Sequence, residues 1–471
     1  MKLHLTYFLP LIAIFGGCGS SESRKPIALH PENPHYFVYD NRPAILVTSG
    51  EHYGAVLNLD FDYVSYLDAL SRDSLNLTRV FTGAYLEPQG AFNIDRNTLA
   101  PAPEKFICPW PRTESPGHFD GGNKFDLTKW NEDYFIRLKD FMSEAEKRNV
   151  VVELALFCPF YVDSLWYLSP MNSNNNVNGV GPKDRMHVYT MDNSAGLLDV
   201  QDALVRKIVN ELKEYSNLIY EICNEPYFGG VTMDWQHHIA SVIRDEESEF
   251  EQKHLISQNI ANDKLLIENP HPAVSVFNFH YAYPPVAISQ NYHLNKAIGD
   301  NETGFDGNAD SIYRREGWSF ILNGGSLFNN LDYSFTADHE DGTFQYPSTQ
   351  PGGGSTALRN QLGYLKSFVF GFNFLKMRPD STSITGIESA GNRAYVLAEP
   401  GNQYAIYIFG QGPHTFDLAA PTGDYTVEYM NPLTGIFESK QNIVSDGKIS
   451  LTSPEFTEDV AVRIMSADLS M

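Results

Sequence analysis

Eight short apolar runs recur between residues 44 and 335, most of them separated by amphipathic segments or long loops. They lie at 44–49, 77–81, 150–157, 218–223, 254–260, 274–279, 296–299 and 320–322, the last extending toward 335. The run at 150–157 is apolar almost throughout, apart from Glu153, which suits a strand covered on both faces as in a parallel sheet. The intervening segments 61–70 and 133–147 carry apolar residues at helical spacing. In the clearest repeat, Asp199 can cap a helix whose stripe is Leu204, Ile208 and Leu212 with Val205 and Val209 beside it, and Asn217 ends it. Strands alternating with helices imply right-handed crossovers, and eight such units close a (β/α)₈ barrel of the α/β class.

Beyond Met377-Arg378-Pro379-Asp380 the pattern changes to short strands with alternating apolar positions. Turn signals such as Pro400-Gly401-Asn402, Thr422-Gly423-Asp424 and Asp446-Gly447 separate them, which reads as a small antiparallel β-sandwich. The expected organisation is a leader at 1–17, a tether at 18–29, a barrel at 30–378 and a sandwich at 379–471. With 471 residues of which 42% are apolar, the chain can bury a core of this size. A net charge of −24 argues against a nucleic-acid partner, because phosphate binding needs a basic face.

Lys2 and His4 precede an apolar stretch at 5–15, followed by Gly16, Gly17 and Cys18. That stretch is too short to cross a hydrocarbon layer, which takes about 20 residues, and it reads as a secretory signal. The Cys after two small residues resembles a bacterial lipobox. By that resemblance Cys18 is lipidated and ties an exported lipoprotein to the outer membrane through the polar tether that follows. Three cysteines remain, Cys108, Cys158 and Cys223. An odd number does not make a disulfide framework, and no Cys/His spacing fits a zinc site, so no structural metal is expected; nor is a cofactor, because a pair of carboxylates suffices for the chemistry considered next.

In a barrel of this kind the polar residues at the C-terminal ends of the strands are the catalytic candidates. The fourth strand runs into Cys223-Asn224-Glu225-Pro226, the sixth into His280-Tyr281, and the seventh into Asp300-Asn301-Glu302-Thr303. Two carboxylates converging across the mouth suit glycosidic-bond cleavage. One carboxylic acid, its pKa raised, protonates the departing oxygen while an ionised partner attacks the anomeric carbon. Strand alternation puts Glu221, Cys223 and Glu225 on one side, and Asp300 and Glu302 together on another. Glu87, Glu268 and Asp300 compete with Glu302 for the second role.

Asn224-Glu225-Pro226 with a Glu at the end of strand seven resembles the signature of clan A glycoside hydrolases. The opening from His30-Pro31-Glu32-Asn33-Pro34 to Arg42-Pro43 looks like cellulase-type and apiosidase-like members. The segment from Gly423-Asp424-Tyr425 to Asn431-Pro432, with Thr434-Gly435, is similar to a collagen-binding-type C-terminal module found in that group. The resemblance implies a retaining hydrolase of an oligo- or polysaccharide, with Glu225 as acid/base and Glu302 as nucleophile. It further implies that Asn224 holds the sugar 2-hydroxyl, that Arg79 orients the nucleophile, and that His280 and Tyr281 line the sugar subsite. His52 and Trp318 are weaker candidates for the same wall.

The rival reading is a surface lipoprotein that binds glycan or matrix protein on a barrel without catalysis. An inverting enzyme is a second alternative and would hold the two carboxyl groups about 6.5–9.5 Å apart. Glu153 and Glu221, inside strands, are expected to pair with Arg or Tyr within the barrel. The Asn-rich stretch at 172–178 reads as a polar loop that either contacts substrate or, the favoured reading, is mobile. The aromatic stretches at 281–285 and 327–335 read either as stacking platforms for sugar rings or as rim packing. The long segments at 83–125 and 164–198 are expected to wall a deep pocket, which leans toward action at chain ends.

Overall fold

Eight parallel strands account for the apolar runs: β1 Leu46–Gly50, β2 Leu77–Phe81, β3 Val151–Ala155, β4 Leu218–Glu221, β5 Leu255–Asn262, β6 Val276–His280, β7 Ala297–Thr303 and β8 Leu327–Leu331. The computed structural model describes residues 24–102, 104–387 and 393–470. The expected leader, and Cys18 with it, lie outside the described residues. The strands pair in the order β1-β8-β7-β6-β5-β4-β3-β2. The seam between β1 and β2 is closed by Asn76, whose backbone N–H donates to the Val47 carbonyl at 3.2 Å. Its side chain accepts from the Val47 N–H at 2.9 Å and donates to the Ile45 carbonyl at 2.8 Å. A side-chain amide thus stands in for the missing ladder bonds.

The barrel is filled in layers. At the floor, Leu46, Leu77, Val151, Ile219, Leu255, Val276, Ala297 and Leu327 pack against Ile27, Phe37 and Tyr39. Phe37 and Tyr39 come from a small antiparallel sheet of Ala28–Leu29, Phe37–Tyr39 and Arg42–Ala44 that plugs the bottom, and Ile27 immediately precedes its first strand. The chain is therefore already built into the fold at Ile27, inside the segment expected to be tether. Above the apolar floor the interior turns polar, and Glu153 accepts from Ser257 Oγ (2.7 Å), Asn278 Nδ2 (2.7 Å) and Asn301 Nδ2 (3.1 Å). The expected Arg or Tyr partner is found for Glu221 alone; Glu153 is held by neutral donors.

Helices α1 Tyr63–Arg72, α2 Glu132–Lys147, α3 Leu197–Leu212, α4 Met233–Glu246, α5 Val286–Asn291, α6 Asp310–Leu322 and α7 Thr356–Phe370 surround the sheet. In α2 the buried residues Tyr134, Phe135, Leu138, Phe141, Met142 and Ala145 form one stripe. Glu132 and Asp133 in its first turn and Lys147 in its last suit the helix dipole. The cap of α3 is Gly196, with φ 85°, and Asp199 sits in the first turn instead. Residues 320–322 close helix α6 and are not the eighth strand. The reason is burial on every side of α6, which erases its amphipathic stripe. Asn323-Gly324-Gly325 then turns the chain, and β8 begins at Leu327.

The C-terminal domain is antiparallel, with β9 Arg393–Glu399, β10 Gln403–Phe409, β11 Thr415–Asn431, β12 Ile436–Thr452 and β13 Asp459–Ser466. The turn expected at Thr422-Gly423-Asp424 is a register shift between Ala420 and Gly423, so two expected strands are halves of one long bent strand. This domain packs directly on α6. Arg314 Nε donates to Asp459 Oδ2 at 2.8 Å, Tyr407 OH donates to the same oxygen at 2.7 Å, and Arg314 also pairs with Glu458. Trp318 stacks on Tyr407 with ring centroids 5.4 Å apart. Because Trp318 is fully buried in this interface, Trp318→Ala is expected to lower unfolding stability by about 3–5 kcal/mol in denaturant titration. A loss under about 1 kcal/mol would mean that the ring does not bind the two domains together.

Candidate active site

Arg79 sits in the middle of β2, not at its end. Alternation sends Thr78 outward, where its hydroxyl lies 2.9 Å from Tyr66 OH of α1, and sends Arg79 into the barrel. Its Nε and Nη2 donate to the two oxygens of Glu221 at 2.7 and 2.6 Å. Nη2 also donates to Asn224 Oδ1 at 2.6 Å, and Nη1 to Glu302 Oε2 at 3.1 Å. Burial works against the guanidinium's charge, and Glu221 foremost, with Glu302, more than offsets it, so the group is held well above its ordinary pKa.

Glu302 reaches this cation through an irregularity in β7. Asp300 pairs with Phe279 of β6 and Glu302 with the next residue, His280, which leaves Asn301 as an extra residue. Asn301 and Glu302 therefore both face the interior. Asn301 Nδ2 donates to Glu221 Oε2 at 3.2 Å, while Asp300 turns away and accepts from the Ala282 N–H at 3.2 Å. This corrects the expectation that Asp300 and Glu302 share a side, and it removes Asp300 as a competitor. Glu302 Oε2 also accepts from Tyr53 OH at 2.8 Å, and Oε1 accepts from Tyr281 OH at 2.8 Å. Tyr281 follows His280 with φ 52°, a left-handed turn that brings both side chains to the mouth although they are adjacent in sequence.

Glu225 lies just past β4 with φ 36°, a strained backbone of the kind found at functional sites. Oε2 accepts from Tyr161 OH at 2.6 Å; Oε1 lies 3.3 Å from His280 Nδ1 and accepts from Tyr227 OH at 3.2 Å. His280 Nδ1 is also 3.5 Å from Glu302 Oε1. One oxygen of each carboxylate and a nitrogen of His280 lie within 4.8 Å of one another. Among the described residues these three are the one group spaced to clasp a metal ion, yet a cation there would compete with the Arg79 guanidinium already on Glu302. Burial raises the Glu225 carboxyl, but the bond and charge of His280 and the Tyr161 and Tyr227 hydroxyls outweigh it, so its pKa lies below the ordinary range. The raised acid expected at this position is not found in this arrangement.

Both glutamates line a cavity of about 330 Å³ with Asn224, Tyr53, Tyr281, Tyr161 and His52. His52 is half-buried, and the desolvation it suffers lowers its pKa to about 4 against the opposing charge of Glu302. Tyr85, Glu87, Phe92 and Leu99 supply the wall from the long segment after β2, as expected. The segment at 164–198 contributes nothing to the lining; Cys158, Tyr161 and Phe228 stand on that side. Nor is its Asn-rich stretch a free loop. Asn172, Asn175 and Asn176 are buried and donate to backbone carbonyls, among them those of Trp166, Ser169 and Val180. Trp318, buried against the C-terminal domain, is no part of the lining. Of the two aromatic stretches, Tyr281 meets Glu302, whereas Phe328 is buried in the core. The contacts of Tyr53, Tyr161 and Tyr227 were not legible in the sequence, and the available signal was an aromatic within a few residues of a strand end.

No family model matches the chain, and no curated protein matches its sequence. Solved structures do match its fold. A candidate glycoside hydrolase from Bacteroides vulgatus superposes with a TM-score of 0.65 at 11% identity, covering 95% of this chain and 83% of that one. A structure described as a glycoside hydrolase gives 0.64 at 14% identity, covering 94% and 97%. A Bacteroides vulgatus member of glycoside hydrolase family 5 gives 0.64 at 13% identity, covering 94% of each. The likeness at these identities is one of architecture, barrel and C-terminal domain together.

Burial lifts Glu51, Glu87 and Glu153 each to about 7, from an ordinary 4.5. A carboxyl raised by folding favours the fold while neutral; that contribution is complete below pH 4.5 and is lost as pH rises through 7. His52, lowered to about 4, acts oppositely, and its contribution is complete above pH 6.5. Melting temperature is therefore expected to fall between pH 6.5 and 8. A Tm that climbs across that window in calorimetry would contradict the burial of these carboxyls.

Proposed function

We propose that this protein is a retaining glycoside hydrolase acting on an oligo- or polysaccharide. The observation that carries the proposal is the meeting of Glu225 and Glu302, one oxygen of each within 4.8 Å, from β4 and β7 at the mouth of the barrel. A retaining pair sits at about 5–5.5 Å and an inverting pair at about 6.5–9.5 Å, so the spacing favours the double displacement.

In this reading the anomeric carbon sits over Glu302. Arg79, Tyr53 and Tyr281 donate to its two oxygens and aim the carboxylate without removing it from the cavity. Attack by Glu302 forms a glycosyl ester while Glu225 passes a proton to the departing oxygen. The same Glu225 then takes a proton from water, which releases the sugar with its starting configuration. Asn224, tied to Arg79 and donating to Tyr161 at 2.8 Å, lines the cavity between the two acids and is assigned the sugar 2-hydroxyl. His280 bridges the two carboxylates, and His52 and the aromatic walls hold the apolar faces of the ring. The two carboxylates suffice for this chemistry.

The test is turnover on a panel of aryl glycosides and glycans. Glu302→Ala is expected to abolish release of sugar, and added azide is expected to restore it as a glycosyl azide of inverted configuration. Glu225→Gln is expected to lower kcat by about 10²–10⁴-fold on poor leaving groups. Wild-type turnover in Glu302→Ala would refute the assignment.

The proposal includes export and lipid attachment at Cys18, which rests on the apolar stretch at 5–15 and the two glycines before the cysteine. Metabolic labelling with palmitate in a bacterial host is expected to mark the wild type and not Cys18→Ala. Equal labelling of both, or of neither, would remove the anchor from the proposal.

A further inference from the structure

Tyr227 faces two acceptors with one proton. Its hydroxyl donates toward Glu225 Oε1 at 3.2 Å and is also bonded to Asn262 Oδ1. A phenol carries a single O–H, so it can serve only one of the two fully. Tyr161, which holds the other oxygen of Glu225, has no such conflict, because it accepts from Asn224 at 2.8 Å and donates to Glu225 at 2.6 Å. The two tyrosines also differ in setting. Tyr227 stands at the rim, 36% exposed, and Asn262 at the end of β5 is exposed and lines the cavity. A ligand entering beside Glu225 meets Asn262 in the cavity wall, with Tyr227 bonded to it.

An amide has two faces. With its oxygen forward, Asn262 takes the phenolic proton, and Glu225 is left with His280 and Tyr161. With its N–H₂ forward, the amide donates to the phenol, and the phenol donates to Glu225. Both arrangements satisfy every group, and they differ by a half-turn of the Asn262 amide together with a rotation of the phenolic O–H.

We propose that Tyr227 is a positioning residue that alternates between Glu225 and Asn262. It releases Glu225 when the leaving group of a glycoside approaches, and returns to it once the proton has been given up. The inference rests on the acid role of Glu225 proposed above. It accounts for a general acid that in this arrangement is held below the ordinary carboxylate range. No proton passes through Tyr227. The proton leaves Glu225 for the glycosidic oxygen as the bond to the anomeric carbon breaks, and only the phenolic O–H and the Asn262 amide rotate. The other groups facing Glu225 are Tyr161 and Cys158 after β3, Tyr85 from the long wall, His280 and Tyr281 from β6, Glu302 from β7, Cys223 on its own strand, and Arg79 through Asn224. These stay in place in both arrangements, so Tyr227 and the Asn262 amide bonded to it are the movable pair.

The pH profile of kcat/KM tests the idea, because its basic limb reports ionisation of the acid in the free enzyme. Tyr227→Phe removes a donor from the carboxylate, so that limb is expected to move up by about one unit. Asn262→Ala removes the competing acceptor and commits the phenol to Glu225, so the limb is expected to move down. Shifts in opposite directions are the signature, since a general loosening of the loop would not produce them. Shifts of the same sign, or none in either variant, would overturn the proposal. Should the wild type hydrolyse no glycoside, the hydrolase reading itself fails. The switch is then decided separately by ¹³C NMR titration of the Glu225 carboxyl in the wild type and both variants, where the same opposed shifts support it and their absence refutes it.

Discussion

One buried guanidinium organises this molecule. Arg79 is 2% exposed and reaches Glu221, Asn224 and Glu302, groups carried by β4, the segment after it, and β7. Placing an arginine there demands carboxylates in fixed positions, because an unpaired buried charge destabilises a fold by several kcal/mol. The demand runs the other way too. A single cation serves Glu221 and Glu302, and among the described residues no second guanidinium bonds to Glu153, two positions before the end of β3. That carboxyl is pushed up to about 7, first by burial and then by the charge of Glu221. The polar layer above the apolar floor is thus arranged around one charge, and the cavity opens directly above it.

The same cation separates the two acids chemically. Glu302 is clasped by Arg79, Tyr53 and Tyr281, whereas Glu225 meets His280 and two phenols and makes no bond to the arginine. Two carboxyl groups so close would otherwise be equivalent. Their different donors give them different electrostatic settings, and one of those donors, Tyr227, is shared between Glu225 and a neighbouring amide. The C-terminal domain stands apart from this chemistry. It grips α6 through Arg314 and Trp318 and braces the strand-seven side of the barrel.

Glu225 and Glu302 were legible because each ends an apolar run, and a barrel gathers strand ends at one face. Arg79 entered through the family resemblance, as a residue orienting the nucleophile, and its pairing with Glu221 is a contact across the barrel that the run at 77–81 does not announce. Trp318 misled because a helix buried on all sides and a strand both read as unbroken apolar sequence. Asp300 misled because alternation holds only until a bulge inserts a residue, and nothing in Asp300-Asn301-Glu302 marks the insertion. The asparagines at 172–178 misled in the opposite direction. Polar composition suggests solvent, yet these side chains replace secondary structure by bonding buried carbonyls.

From the amino-acid order alone came the eight-unit barrel, the change to an antiparallel domain past residue 378, and the pair of acids at strands four and seven. Each of these depends on local periodicity, which is written in neighbouring residues. Only the folded chain decided which way Glu302 points, which tyrosines hold it, and that Tyr227 meets both Glu225 and Asn262. Those outcomes hang on contacts such as Tyr53 with Glu302 and Arg79 with Glu221, between groups more than a hundred positions apart. Angstrom-scale geometry between such distant groups is set by closure of the barrel, and pattern along the chain carries no record of it.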